Sequence, residues 1–155
     1  EKLEYKATVN SILEALKTRI GELRDAQGEL LIPDVRIACI DGFGRIFDML
    51  PDLYVPSAVL VAGTTEYEEA GAIRKINVGI ILISAFSCAQ EDVQKTYDRL
   101  ERLCSGMTGE VPGRSLSLSG CELILNNVQP LEIDDGTNTA FVLDLTANTS
   151  FRMSV

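Results

Sequence analysis

The groups that could carry acid–base chemistry here are carboxylates in close pairs: Glu68 with Glu69, Asp134 with Asp135, and Glu132 two residues before Asp134. Such chemistry needs a partner group that takes up or returns the proton. No histidine occurs in the 155 residues. A Ser–His or Cys–His nucleophile is therefore excluded, and neither GxSxG nor SxxK is present as a substitute. Each carboxylate pair lies in or beside a predicted turn, where solvated acids are ordinary. Asp134-Asp135-Gly136 also lacks the spaced oxygen ligands and terminal glutamate of an EF-hand loop.

Cys39, Cys88, Cys104 and Cys121 are scattered, with no CxxC spacing to build a zinc site. Cys39 and Cys104 stand in apolar patterns and read as small buried hydrophobes. The apolar run from Ser57 to Ala62 ends in Gly63, as a phosphate-binding turn would begin. Neither G-x-G-x-x-G nor GxxxxGK[ST] follows, and the glutamates at 66, 68 and 69 would repel an anion. These residues predict no enzyme, no metal and no cofactor.

Contact with other macromolecules is the chemistry that remains. Tyr67 lies within GTTEYEEA, a large amphipathic side chain among acids, and aromatic residues are enriched in interface cores. Glu66, Tyr67, Glu68 and Glu69 are therefore expected to meet a neighbour, with Arg74 or Arg114 of an adjacent copy as the opposing charge. With 23 acidic and 14 basic residues the net charge is -9. That balance disfavours tight binding to a phosphate backbone, while an acidic surface suits nucleic acid that must slide past.

These groups must be held by a core, and 46% hydrophobic content at a mean hydropathy of +0.13 is enough for one. The length predicts a single domain over 1–155. No apolar run approaches the roughly 20 residues of a membrane span. No basic, then apolar leader opens the sequence, so a cytosolic setting is expected. The central stretch is Ile73 to Met107. Val78, Ile80 and Leu82 are placed on one face of a strand, with Ile76, Ile81 and Ile83 assigned to the other, so neither face could sit in water. Val93, Tyr97, Leu100, Leu103, Cys104 and Met107 then repeat at threes and fours, an apolar stripe on a helix.

Before it, Leu3 to Leu23 reads as an amphipathic helix through Val9, Ile12, Leu13, Leu16 and Ile20. Asp25 to Pro33 reads as a loop, Asp34 to Ile40 as a strand, Asp41-Gly42 as a turn, and Phe43 to Leu50 as a short helix. Ser57 to Ala62 and the central strand form a hairpin, with Gly63 to Ala72 as its long loop. A short strand at Leu116 to Leu118 precedes a strand from Cys121 to Ile133 that is bulged near Asn126-Asn127 and placed at an edge by Pro130. The turn at 134–138 joins this strand to a hairpin partner over Ala140 to Met153.

The class predicted is α+β: a mostly antiparallel sheet of four to five strands with two long helices on one face. The expected core comprises Ile12, Leu16, Ile20, Val59, Val61, Val78, Ile80, Leu82, Leu100, Leu103, Leu143 and Leu145.

In this layout the chain resembles the tail terminator, or tail completion, proteins of tailed bacteriophages and prophages. The resemblance runs through the N-terminal helix, AVLVAG at 58–63, INVGIILISAF at 76–86, DVQKTYDRLERLCSGM at 92–107, CELILNNVQPLEI at 121–133 and TAFVLDLTANTSF at 139–151. It implies an α+β subunit that assembles as a hexameric ring on a tail tube, stops tube growth and joins the head connector or neck protein. DNA would pass through such a ring unbound, and the protein would reside in the virion after assembly in the host cytoplasm. No catalytic residues come with the resemblance. A second reading remains beside it: a cytosolic small-molecule or nucleotide-binding α/β domain built around Gly63, with enzymatic activity open to it.

Overall fold

The computed structural model describes residues 2–39, 46–109, 115–133 and 136–154, with the backbone alone at 2, 3, 47 and 152–154. The expected turn at Asp41-Gly42 and the Asp134-Asp135 pair lie outside the described residues.

Among those described, the strands are β1 (Lys2–Tyr5), β2 (Asp34–Ile37), β3 (Ser57–Glu68), β4 (Ile73–Ala85), β5 (Leu116–Leu118), β6 (Cys121–Leu131) and β7 (Asn138–Ser154). The helices are α1 (Val9–Glu22), a single turn α2 (Ile46–Met49) and α3 (Gln90–Gly106). The class is α+β, but the sheet is larger than expected and mixed. Its order is β2-β3-β4-β7-β6-β5, with β1 added along β7. Pairing is antiparallel except between β2 and β3. Residues 38–56 separate those two strands, more than the dozen or so that a parallel crossover requires.

The predicted helix from Leu3 begins too early. Thr8 caps α1: its hydroxyl accepts from the Ser11 N–H at 3.1 Å while Ser11 Oγ accepts from the Thr8 N–H at 2.8 Å. That reciprocal cap fixes the helix start at Val9 and leaves Lys2–Tyr5 free to pair with the end of β7.

The sheet has two apolar faces, as its central strand requires. Ile12, Leu16 and Ile20 of α1 and Leu100 and Leu103 of α3 cover the face made by Leu60, Val78, Ile80, Leu82, Leu143 and Leu145. Both long helices therefore lie on one side. Ile76 belongs to this face, because it stands two residues from Val78 and strand side chains alternate. Val59, Val61, Ile81, Ile83 and Ala140 point the other way and pack with Ile46 of α2 and the partly buried Leu53 and Val142. Every residue of the expected core is buried.

The Gly63 to Ala72 stretch is not a loop. Strand β3 runs on to Glu68, bulges between Ala62 and Thr65, and resumes register with Thr65 opposite Ile76, Glu66 opposite Lys75 and Tyr67 opposite Arg74. Only Glu69–Gly71 forms the turn, a 3-10 element in which Glu69, Ala70 and Gly71 all have positive φ. The polar sequence reads as loop because both faces of this distal segment lie beyond the helices.

Candidate functional site

Three features stand at the surface of this frame: the hairpin tip, the polar distal half of the sheet, and an aromatic groove at the opposite end of β4. The tip is braced from within the chain. Tyr5 stacks on Phe151 with ring centroids 4.4 Å apart, and its hydroxyl donates to the Gly71 carbonyl at 2.7 Å. The Arg74 guanidinium lies 4.1 Å from the centroid of the Tyr5 ring and donates through Nη2 to the Ala7 carbonyl at 2.8 Å. On the other face Lys75 pairs with Glu68 at 3.0 Å. Strand β1 thus acts as a splint along the hairpin.

The predicted contact residues fall unequally on this splint. Glu66, Tyr67, Glu68 and Glu69 are exposed, with Tyr67 59% accessible although its ring tilts toward Tyr5 at 6.4 Å. Arg74 is half-buried and makes its contacts inside the chain. Arg114 lies outside the described residues.

The distal face away from α1 and α3 carries Glu66, Lys75, Asn77, Asp144, Thr146 and Asn148 around an open cleft of about 460 Å³. A neighbouring cleft of about 580 Å³ shares Lys75 and Asn148 and adds Lys6, Glu68 and Glu122. The groups are tied to one another. Asn77 donates to the Asp144 carboxylate and to the Leu145 carbonyl, and Asn126 donates to Thr146 Oγ1 at 2.8 Å. Gly63 belongs to this network, since a Cβ there would come within 2.6 Å of Asn77 Oδ1. The glycine thus makes room for an amide in the middle of a strand. It does not open a strand-to-helix turn of the kind that cradles phosphate.

At the far end of β4, Phe86, Val93, Tyr97 and Phe141 line a small groove of about 130 Å³. The Tyr97 and Phe141 rings meet at 5.9 Å, while Phe86 is 60% and Tyr97 55% exposed. A second cleft of about 360 Å³ continues from it past Pro56, Lys95 and Arg99. Lys95 lies 3.7 Å from Glu91, and Arg99 donates through Nε to the Leu31 carbonyl at 3.2 Å.

Among the described residues no three His, Cys, Asp or Glu side chains converge as metal ligands. Burial pushes the Cys104 thiol up, with Glu101 adding to the effect, and burial raises Cys121 as well. Cys88 is exposed, and so is Cys39, contrary to the buried position expected from its apolar neighbours, because β2 ends at Ile37 and Cys39 lies beyond it.

The fold is similar to that of a chain in the virion of a native gene transfer agent (GTA) particle. The TM-score is 0.56 at 13% identity, over 93% of this chain and 98% of that one. At this identity the likeness is one of fold. No protein-family model matches the sequence, and no curated protein matches it.

The aromatic groove is the feature that sequence reasoning missed. Tyr97 fits the apolar stripe of α3 by spacing, yet it lies on the stripe's edge and reaches Phe141 from the rim. The adjacent Phe86, the last apolar residue after β4, is the one signal that could have pointed there.

Proposed function

We propose that this chain is a structural subunit of a phage-like virion. It assembles as a hexameric ring, caps a tail tube, ends its polymerisation and joins the tail to the head connector. The observation that carries this reading is the fold likeness to the GTA virion chain along nearly the full length of both, which agrees with the independent resemblance to tail terminator proteins. Sheet edges support it: among the described residues β2 reaches only Leu60 of β3, and β5 reaches only Leu123 of β6, and a strand edge offers backbone groups to a neighbour. The tail tube protein and the connector or neck protein are the neighbours in this reading. The chain is not an enzyme, and its acidic charge lines a lumen through which DNA passes unbound.

Sedimentation velocity and negative-stain microscopy of the purified chain test the proposal. Closed rings with an axial channel are expected, and rings added to polymerising tube protein should arrest its growth. A chain that stays monomeric at every accessible concentration would overturn the reading. ATP, NAD and zinc are expected to leave the melting temperature unchanged, since only a ligand that binds the folded state raises it. A saturable shift would instead favour a ligand-binding domain.

A further inference from the structure

The two outermost strands of the main sheet are short, and they stand at opposite ends of it. β2 has four residues and β5 has three. One row of Cα partners across the sheet runs Asp34, Ser57, Ile83, Ala140, Leu131. Another, toward the hairpin tip, runs Glu66, Lys75, Asn148, Glu122, Ser117. β2 therefore borders β3 at the level where β6 has run on past β5, and β5 borders β6 at the level where β3 has run on past β2. Among the described residues each margin carries a short strand where the other has a gap, so the two margins are complementary in outline.

Strand direction and backbone orientation agree with that fit. β2 is parallel to β3, which is antiparallel to β4; β6 runs opposite to both β2 and β3, and β5 runs with them. Ala38 donates to the Leu60 carbonyl at 2.9 Å, which turns the backbone of Val35 and Ile37 away from β3, because successive residues of a strand alternate sides. Phe151 donates to the Ala72 carbonyl at 3.3 Å, so Val142 of β7 turns toward β6 and meets Gln129. Val128 and Pro130 then turn outward, and Pro130 has no N–H for a ladder to lose. Laid level, Ile37 meets Val128 and Val35 meets Pro130, outward residue against outward residue. Side chains match as well, since Val35, Ile37 and Val128 all pack on the core beneath the long helices, while Arg36 and Gln129 fall on the opposite face by alternation.

We infer that neighbouring copies of this chain join by these margins: β2 of one copy pairs antiparallel with β6 of the next, and β5 of the next pairs parallel with β3 of the first. The sheet then continues across the joint. This inference rests on the proposed self-assembly and names its contact. Because the two margins differ, the contact is head-to-tail, and repetition yields a ring or a filament and not a closed pair.

Disulfide formation tests the register. Across the joint Arg36 and Gln129 form a closely spaced pair, with Cα atoms about 4.5 Å apart, within the span of a disulfide. In a Cys39→Ser, Cys88→Ser background, which removes the exposed thiols, a chain carrying Arg36→Cys is mixed with one carrying Gln129→Cys. Any 36–129 disulfide then joins two copies, and mild oxidation should give it as the main crosslink on peptide mass spectrometry. Separately, Val128→Pro removes an N–H that only the joint uses. Its circular dichroism should stay that of the wild type while assembly weakens by at least about tenfold. Rings that form in the cysteine mixture without the 36–129 disulfide would overturn this joint and leave the ring itself standing, as would normal rings from Val128→Pro. A chain that never assembles would overturn both.

Discussion

Gly63 and Asn77 show how a single residue choice serves a neighbour. The missing Cβ makes room for the Asn77 amide, which holds Asp144 across the sheet. Gly63→Ala should cost about 1–3 kcal/mol by overpacking. Combined with Asn77→Ala it should cost less than the sum of the two, because the clash disappears with the amide. Chemical denaturation of the four chains checks the coupling, and simple additivity would show that the space at Gly63 does not matter. Asp34 gives a pH dependence. Partial burial raises its carboxyl, but donation from Arg36 Nε at 3.0 Å and the Tyr54 N–H at 2.9 Å, with the charges of Arg36 and Lys17, holds it below the usual value of 3.8. The stability this contributes is fully present above about pH 4 and is lost as pH falls through the folded-state value. Wild type should exceed Asp34→Asn by about 1 kcal/mol at neutral pH, with the gap narrowing below pH ~4. A gap that stays constant down to pH ~2 would refute the assignment.

At the scale of elements, β4 is the member whose removal from the core matters most. Leu82 is fully buried between the sheet and the long helices, and Leu82→Ala should cost about 2–5 kcal/mol in urea unfolding. A loss well under 1 kcal/mol would contradict its place. This strand was legible because apolar residues fill both parities, and α3 because its stripe recurs at threes and fours. The bulge near Asn126 was legible as well, whereas β6 is not the edge strand expected from Pro130: β5 pairs with it over Cys121–Leu123. The outer half of β3 was not. Its Thr, Glu and Tyr residues are largely exposed and stand opposite Ile76, Lys75 and Arg74 of β4, so neither alternation nor an apolar run marks the strand, and only pairing with β4 defines it. β1 was hidden for a related reason: four residues carry too little pattern to oppose the strong helix beside them, and their partner lies about 150 positions away, at Phe151 to Ser154. The groove escaped notice because it is assembled from a strand end, a helix and a distant strand.

For the whole molecule, charge distribution carries the testable consequence. Glu66, Glu68 and Glu69 gather at one end of the hairpin, where like charges hinder self-association unless a basic surface receives them. Glu66→Lys, Glu68→Lys and Glu69→Lys together should abolish ring formation and tail joining while the circular dichroism stays that of the wild type. Normal rings from this variant would exclude the tip from the contact and leave the sheet edges to make it. The three glutamates also predict a salt response. Assembly that uses them should weaken between low and moderate ionic strength, as screening over about 8–10 Å takes effect.

The position of β7 has a consequence for how the protein comes into being. β7 lies between β4 and β6 and also carries β1 on its outer stretch, yet it is synthesised after all of them. Until residues 138–154 leave the ribosome, the apolar faces of β4 and β6 lack the neighbour that joins them, and the closures still to be made span most of the chain. A nascent chain halted at Thr137 should therefore remain open to protease, and one extended through β7 should become resistant in a single step. Translation then delivers the centre of the sheet last, so the chain cannot present a finished surface to any partner until its own synthesis has passed that strand.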